Sequence, residues 1–172
     1  MLSQRKLFAG ALLVAIALLA CALYFQYVQG LEPCPLCILQ RLALMVLGVI
    51  ALLALIHNPP ALARRLYGLL MLLTATAGGA IAARQVWLQH LPPDQVPACG
   101  PGLDYMLEVF PLGEALAMVL RGSGECAEVT WRFLGLSMAG WMVLVFACYL
   151  LFSLLLLFAP QLFRRCSRRN RG

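Results

Sequence analysis

The stretch LEPCPLCILQRLALMV, residues 31–46, joins a short polar loop to a long apolar run. It contains the Cys-x-x-Cys pair Cys34 and Cys37, two prolines, and Arg41 four residues after the second cysteine. An arginine is costly in hydrocarbon and usually marks a functional position. The stretch therefore predicts a point where the chain enters a membrane with reactive side chains at the boundary.

The composition of the whole chain indicates a membrane protein. Hydrophobic residues make up 63% of the 172 residues and charged residues only 12%, whereas a soluble domain is about half apolar and about a quarter charged. Four apolar windows are each long enough, at roughly 20 residues, to cross a bilayer as a helix. They cover residues 7–28, 38–56, 66–88 and 133–158. We predict an all-α four-helix transmembrane bundle that forms one integral membrane domain over residues 1–172.

The positive charges predict the orientation of this bundle. Nine of the thirteen basic residues precede the first span, separate spans two and three, or follow span four. They are Arg5, Lys6, Arg64, Arg65, Arg164, Arg165, Arg168, Arg169 and Arg171. All seven acids fall in the other two loops. Both termini are therefore predicted to be cytoplasmic, and the net charge of +6 indicates topology rather than nucleic-acid binding.

The predicted topology assigns each of the seven cysteines to a loop, a span or the tail. Cys34 and Cys37 fall in the first outer loop, and Cys99 and Cys126 fall in the longer second outer loop. The outer side of a bacterial inner membrane is oxidising, so these four cysteines could form two disulfides. The remaining cysteines are interpreted as packing thiols: Cys21, Cys148 and Cys166.

The spacing of Cys34 and Cys37 is typical of an exchangeable redox pair. A disulfide between them would close a very small ring and would add little chain-entropy stabilisation. The neighbouring prolines suit the first turn of a helix, where the missing N–H would be unpaired anyway. Cys37 would then lie at or near the N-terminus of the second span, where the helix dipole stabilises a thiolate.

Arg41 would lie one turn deeper than Cys37 on the same helix face. Its guanidinium could stabilise a thiolate, or bind the oxygen of a molecule that accepts electrons from the cysteines. The alternative is that Arg41 only extends to the lipid headgroups, as basic residues near span ends do; Arg84 in span three is interpreted in that way. We favour a site role for Arg41 because an ionisable residue inside a span suggests function by default.

Two other interpretations remain for the outer cysteines. A Cys-x-x-Cys pair with two further cysteines could bind zinc in a metal-handling membrane protein. Against this, Cys99 and Cys126 lack a second two-residue spacing, and His90 is not in ligand spacing with them. The cysteines could also form purely structural disulfides in a non-catalytic membrane scaffold.

The second outer loop contains a candidate interfacial helix. Residues 103–120 are apolar with scattered acids and are interrupted by Pro111, so they could lie flat on the membrane surface. A Cys99–Cys126 disulfide would contribute ~3–4 kcal/mol from loop closure. Because glycine and proline are frequent in this loop, it could also move between a soluble partner and the first cysteine pair.

These features together resemble the DsbB family of disulfide bond formation proteins. The resemblance covers nearly the whole chain, including four spans and both outer loops. It rests on the motif CPLCILQR at residues 34–41, on Cys99 and Cys126, and on the block SGECAEVTWRFLGLSMAGW at residues 123–141.

The resemblance implies a membrane enzyme, a disulfide-generating protein-dithiol:quinone oxidoreductase that re-oxidises a DsbA-like periplasmic thiol oxidase. By resemblance, reduced DsbA would attack Cys99, and Cys126 would then exchange with Cys34. Cys37 would be freed to act on membrane quinone, either ubiquinone or menaquinone, with Arg41 holding a quinone oxygen. The protein would be a multi-pass protein of the bacterial inner membrane, with its redox loops in the periplasm.

Two positions depart from the pattern of the family. Gln40 precedes Arg41 where a relative has an acid, and Gln85 stands where a relative has a histidine associated with the quinone site. Because of these departures, Gln85 and its neighbour Arg84 are not included in the predicted site.

Overall fold

The structure is a computed structural model and describes residues 4–92, 94–97, 105, 109–129 and 131–158. The predicted site residue Cys99 and the tail residue Cys166 lie outside these ranges. The described chain is mostly helical, with one short hairpin. Its elements are α1 (Gln4–Tyr27), α2 (Pro35–His57), α3 (Ala61–Leu88), α4 (Leu112–Arg121), α5 (Gly124–Ala127), β1 (Arg132–Phe133), β2 (Leu136–Ser137) and α6 (Met138–Phe158).

Four of these helices, α1, α2, α3 and α6, are long and apolar enough to cross a membrane. This confirms the predicted four-helix membrane bundle. The first three begin a few residues before the predicted apolar windows. Since lipid offers no hydrogen bonds to the backbone, a helix is the local structure that satisfies such segments.

The predicted fourth span, residues 133–158, starts too early. A short antiparallel hairpin precedes α6, and in it Arg132 pairs with Ser137. The turn residues Leu134 and Gly135 have φ angles of 51° and 82°. Two consecutive positive φ angles are typical of the two-residue turns that close tight hairpins. The apolar composition of this segment hides the hairpin, because it resembles the first turn of a membrane helix.

The long helices pack into one bundle, in which α3 contacts α6 most extensively and α2 contacts both α1 and α3. The core combines large buried side chains, such as Phe8 and Phe146, with small residues such as Ala51 and Ala75. Small residues allow helices to approach closely where lipid provides no hydrophobic driving force. Large apolar side chains remain exposed around the bundle, as expected for helices whose solvent is hydrocarbon.

One contact shows which loops lie at the same end of the bundle. The Gln4 side chain donates from Nε2 to the Pro59 carbonyl oxygen at 3.1 Å, which joins the start of α1 to the connection between α2 and α3. The first loop, residues 28–34, therefore lies at the opposite end, together with the described residues between α3 and α6. This is the pairing of loops that the charge pattern predicts.

At that opposite end, α4 and α5 cover the ends of α2 and α3. Val119 and Cys126 are buried there against Leu36 and Leu88, and these residues form a second, smaller core. Gly122 connects the two short helices with a φ of 83°, and a Cβ at this position would overlap the Leu88 side chain. Glycine is required at this turn both for its backbone conformation and for its lack of a side chain.

The predicted interfacial segment, residues 103–120, is described only in part. Its described portion contains most of α4, which begins directly after Pro111 instead of being broken by it. Proline is accommodated there because the backbone N–H groups at a helix start need no helical partner. The helix buries Val119 and exposes Leu116 and Leu120. Contact of these leucines with a membrane surface stays a prediction.

Replacing Gly78 of α3 by alanine is expected to destabilise the bundle. A Cβ at this position would overlap the fully buried ring of Phe146, and overpacking of this kind typically costs about 1–3 kcal/mol. The loss would be measured as the free energy of unfolding, by denaturant titration of the protein in detergent micelles.

The matched control for this variant is Gly79→Ala. A Cβ at Gly79 would meet Phe146 at 3.4 Å, and only its Cβ atom, so this substitution should leave stability nearly unchanged. Equal stability of the two variants would contradict the observed packing of α3 on α6.

Candidate functional site

The first outer loop leads directly into α2, and this positions the first cysteine pair. Cys34 is the N-cap residue, with φ of −64° and ψ of 159°, and Pro35 opens the helix. The backbone N–H of Cys37 donates to Cys34 Sγ at 3.4 Å. Cys34 therefore caps the helix with its side chain, as a serine or aspartate commonly does at a helix start. Both sulfur atoms lie at the positive end of the α2 dipole.

Three sulfur atoms meet at this helix end. Cys34 Sγ and Cys37 Sγ are 2.9 Å apart, and Cys126 of α5 packs against Cys34 from the second outer loop. Cys34 and Cys126 are buried, and Cys37 is partly buried. The structure thus brings together three of the four predicted site cysteines, while Cys99 lies outside the described residues.

Unequal hydrogen bonding separates the pKa values of Cys126 and Cys34. Hydrogen bonding from the Cys34 thiol lowers the pKa of Cys126 to about 6, against the opposing effect of burial. Backbone N–H groups of Ser123 and Leu36 support the same thiolate. The pKa of Cys34 is raised because its thiol is the donor toward Cys126 and Cys37, and because it is buried. Cys126 therefore has thiolate character at neutral pH, and Cys34 remains a thiol.

Two glutamine side chains from neighbouring spans contact the cysteine pair. Gln85 Nε2 in α3 lies 3.3 Å from Cys34 Sγ and 3.2 Å from Cys37 Sγ. Gln40 in α2 donates from Nε2 to Gln85 Oε1 at 2.6 Å. Neither glutamine is among the predicted site residues. A polar side chain inside an apolar span is the sequence signal that could have identified both.

Arg41 makes its hydrogen bonds to α1 and not to a thiolate, which is one of the two alternative partners predicted for it. Its guanidinium donates to Gln26 Oε1 and, at 3.1 Å, to the backbone carbonyl of Ala22, both in α1. No hydrogen bond joins Arg41 to the Cys37 sulfur in the part of the chain that the structure describes. The long Arg41 side chain extends to α1, where two oxygen atoms accept its hydrogen bonds. The donor to the Cys37 sulfur is Gln85 instead.

An apolar cavity of about 360 Å³ opens beside the thiols. It lies between α1, α2 and α6, and Cys34, Cys37 and Arg41 line part of its wall. Another part is a row of aromatic rings whose neighbouring centroids are 5.3 to 6.1 Å apart. These rings belong to Phe25, Trp131, Phe133 and Trp141. Ligand sites for small molecules are typically about this large and mostly apolar, with few polar groups.

Of the described residues, Cys21, Cys148 and Arg84 lie outside the thiol cluster. Cys148 is exposed on α6, and Cys21 of α1 lines the cavity. Arg84 donates to the Arg121 carbonyl oxygen at 3.2 Å and lies over the ring of Trp87, so it makes specific contacts as well as ending near the bundle surface. Among the described residues, no group of three or more His, Cys, Asp or Glu side chains is arranged to hold a metal ion.

The fold and the site define a multi-pass membrane protein with a thiol cluster at one end of a four-helix bundle. The family model for disulfide bond formation protein DsbB matches residues 4–156. The chain is 53% identical over 159 residues to disulfide bond formation protein B of Azoarcus sp. (strain BH72), covering 92% of this chain and 95% of that protein.

Two further relatives have the same kind of match. Disulfide bond formation protein B of Marinobacter nauticus is 51% identical over 163 residues, covering 93% of this chain and 97% of the relative. Disulfide bond formation protein B 1 of Pseudomonas aeruginosa is 46% identical over 152 residues, covering 88% and 93%. The chain therefore belongs to the DsbB family, and it is a membrane oxidoreductase of disulfide formation.

Replacing Cys34 by alanine is expected to raise the pKa of Cys126 from about 6 toward the ordinary thiol value of about 8.5. The reason is that hydrogen bonding from Cys34 is the largest influence that lowers this pKa. The thiolate of Cys126, which persists above pH 6 in the parent, would then be mostly protonated at neutral pH. Alkylation of Cys126 by iodoacetamide in the reduced protein, followed against pH by mass spectrometry, measures the shift.

Cys148→Ala serves as the control, because Cys148 is exposed on α6 away from the cluster. It should leave the alkylation profile of Cys126 unchanged. A Cys34→Ala profile that coincides with the control would contradict the contact between Cys34 and Cys126.

Proposed function

We propose that this protein is a protein-dithiol:quinone oxidoreductase. It re-oxidises a DsbA-like thiol oxidase in the periplasm and passes the electrons to quinone in the inner membrane. The observation that supports this most is the meeting of three thiols, two at the start of α2 and one in α5, beside an apolar cavity. A disulfide relay needs sulfur atoms in mutual reach, and a lipid-soluble electron acceptor needs an apolar site next to one of them.

The relay proceeds by thiol–disulfide exchange, in which a thiolate attacks one sulfur of a disulfide and the other sulfur leaves. A thiolate of reduced DsbA attacks Cys99 of a Cys99–Cys126 disulfide, and Cys126 leaves with the electron pair. The second thiol of DsbA then attacks the mixed disulfide, which releases oxidised DsbA and reduced Cys99. Two electrons and two protons have passed from DsbA to the loop cysteines.

The second exchange transfers these electrons to the first outer loop. Cys126 attacks Cys34 of a Cys34–Cys37 disulfide, and the Cys37 sulfur leaves as the thiolate. Cys99 then attacks Cys126 of the resulting Cys126–Cys34 disulfide, which restores the Cys99–Cys126 disulfide and releases Cys34 as a thiol. The contact between Cys126 and Cys34 supports the first of these steps. So do the backbone N–H groups of Ser123 and Leu36, which lower the pKa of Cys126 without needing a thiol at Cys34, because it is the thiolate that attacks a disulfide.

The energetics favour a quinone as the final acceptor. DsbA has a potential near −120 mV, so a typical thiol acceptor would face an uphill transfer of about 1.4 kcal/mol for each 30 mV. Quinone, either ubiquinone or menaquinone, takes up two electrons and two protons and leaves as quinol. The cavity supports its binding, because it is apolar, of suitable size, and lined by Cys37 and Arg41. In this proposal Arg41, held by its contacts with α1, donates to a quinone oxygen.

The charge pattern supports the orientation of the protein in the inner membrane. Arg5, Lys6, Arg64 and Arg65 flank the end of the bundle where α1 begins and α2 meets α3, and such residues mark the cytoplasmic side. The thiol cluster lies at the other end of the bundle. In this orientation the cysteines face the periplasm, where a DsbA-like partner would meet them.

Replacing Cys37 by serine is expected to abolish quinone reduction while the helices remain folded. Serine fills nearly the same space but cannot form the disulfide or carry the electrons. The assay would mix purified protein, reduced DsbA and a soluble quinone analogue and follow quinone absorbance, with helical content checked by circular dichroism. The control Cys148→Ser should retain activity. If Cys37→Ser also retained it, the first cysteine pair would be structural, as in a membrane scaffold.

Replacing Arg41 by alanine is expected to weaken the use of quinone more than it weakens exchange with DsbA. Loss of a hydrogen bond from a charged donor costs about 1.5–3 kcal/mol, so KM for the quinone analogue should rise about tenfold or more. Single-turnover reduction of the protein by DsbA, without quinone, should change little. Arg84→Ala, which removes a guanidinium outside the cavity, is the comparison, and equal losses in both assays for Arg41→Ala would contradict the proposed contact.

A further inference from the structure

Two buried amides lie directly beneath the cysteine pair, and the proposed relay does not use them. Gln40 is 3% exposed and Gln85 is 4% exposed, although each belongs to a mostly apolar helix. Burying an amide costs free energy unless it finds hydrogen-bond partners. Gln85 finds its partners in Gln40 and in the two sulfur atoms, which links the burial of the amides to the thiols.

The two amides are arranged so that N–H groups point at sulfur. Gln40 Nε2 donates to Gln85 Oε1 at 2.6 Å, and this uses one of the two lone pairs of that oxygen. The Gln85 amide nitrogen then lies 3.3 Å from Cys34 Sγ and 3.2 Å from Cys37 Sγ. An amide nitrogen carries two hydrogens, so it can direct one toward each sulfur.

We propose that Gln85 is a catalytic residue that binds the thiolate of the Cys34–Cys37 pair, and that Gln40 is the positioning residue that keeps its amide in the donating orientation. The inference rests on the proposed function only in that these two cysteines are the ones that cycle between disulfide and thiolate. It assigns the stabilisation of the anion to a neutral side chain of α3.

The distribution of donors around the pair supports this assignment. The backbone N–H of Cys37 donates to Cys34 Sγ, which leaves Cys37 Sγ to other groups. Within the described residues, Gln85 is the one donor outside the cysteines themselves that reaches Cys37 Sγ. Arg41, a permanent cation that lines the cavity beside the pair, donates to Gln26 and to the Ala22 carbonyl.

A neutral amide suits a sulfur that changes its protonation state. Gln85 Oε1 is 3.6 Å from Cys37 Sγ and can accept from the thiol, while Nε2 can donate to the thiolate. Donation from Gln40 to the Gln85 carbonyl polarises the amide and strengthens its N–H groups as donors. The site can therefore hold both forms of Cys37 with a side chain that carries no charge itself.

Other ionisable groups near the pair come from several elements, and the test must separate their influence from that of Gln85. Cys126 of α5 lies against Cys34, and Arg41 of α2 faces α1. Acidic side chains also line the cavity: Glu32, Glu125 and Glu128. Because all of these stay in place when an amide is replaced by an isosteric thioether, a series of glutamine-to-methionine variants isolates the amide.

The experiment compares Gln85→Met, Gln40→Met and the parent, each as the full chain reduced in detergent. Alkylation of Cys37 by iodoacetamide would be followed by mass spectrometry across a range of pH. At neutral pH the rate should fall about tenfold in Gln85→Met, since a hydrogen bond to a charged group is worth about 1.5–3 kcal/mol. Gln40→Met should give a smaller fall, about threefold, because the amide remains but loses its orientation.

The high end of the pH range distinguishes ionisation from access. Well above the ordinary thiol pKa of about 8.5, all variants should alkylate at the rate of the parent, because every thiol is then ionised. Gln89→Met is the matched control: Gln89 follows α3 one turn later and accepts from Ser137 instead of contacting sulfur, so its Cys37 profile should equal that of the parent.

Either of two results would overturn the proposal. A Gln85→Met protein that alkylates like the parent at every pH, even with lowered thermal stability, would mean that the amide pair only joins α2 to α3. A uniform slowing at all pH values would mean that Gln85 controls access. If Gln85→Met does not fold, Gln85→Glu keeps the shape and replaces the donor by an acceptor, and it should slow neutral-pH alkylation at least as much. These readouts need neither quinone nor DsbA, so they are independent of the proposed electron acceptor.

Discussion

A sulfur atom that must carry a negative charge while it is buried at the edge of a membrane is the constraint on which the rest of this structure depends. A thiolate out of water is costly unless hydrogen-bond donors replace the water. The start of α2 meets part of this need, because the N–H of Leu36 in its first turn supports the Cys126 thiolate and the helix dipole is positive at this end. The buried amide of Gln85 meets another part. Pro35 fits the same requirement, since it begins the helix immediately after the sulfur that caps it.

The second requirement is that two loops far apart in sequence meet at this helix end. Leu36, Leu88 and Val119 form the small apolar core that holds Cys126 beside Cys34. Gly122 permits the close approach, because any side chain there would overlap Leu88. The same arrangement leaves the cavity on the other side of the thiols, between α1, α2 and α6. The thiol cluster therefore faces a protein loop on one side and an apolar space on the other.

Much of the fold could be predicted from the sequence, because the requirements of a lipid solvent are local. Each span must satisfy its own backbone, so an apolar window of sufficient length indicates a helix wherever it occurs. The start of α6 could not be predicted in this way, since the turn at Leu134 and Gly135 depends on backbone angles that composition does not reveal. The relation of α4 to Pro111 was uncertain for a similar reason: proline can interrupt a helix or precede one, and the sequence alone permits both.

The sequence by itself determined four membrane helices, two cysteines at the start of the second, and the family, since these depend on composition and short-range spacing. Only the tertiary structure decided that Cys126 contacts Cys34, that Arg41 reaches α1, and that the Gln40 and Gln85 amides meet beneath the sulfurs. The physical reason is that these contacts join different helices. Their partners are selected by the rotation of each helix within the bundle, and packing among all the helices sets that rotation.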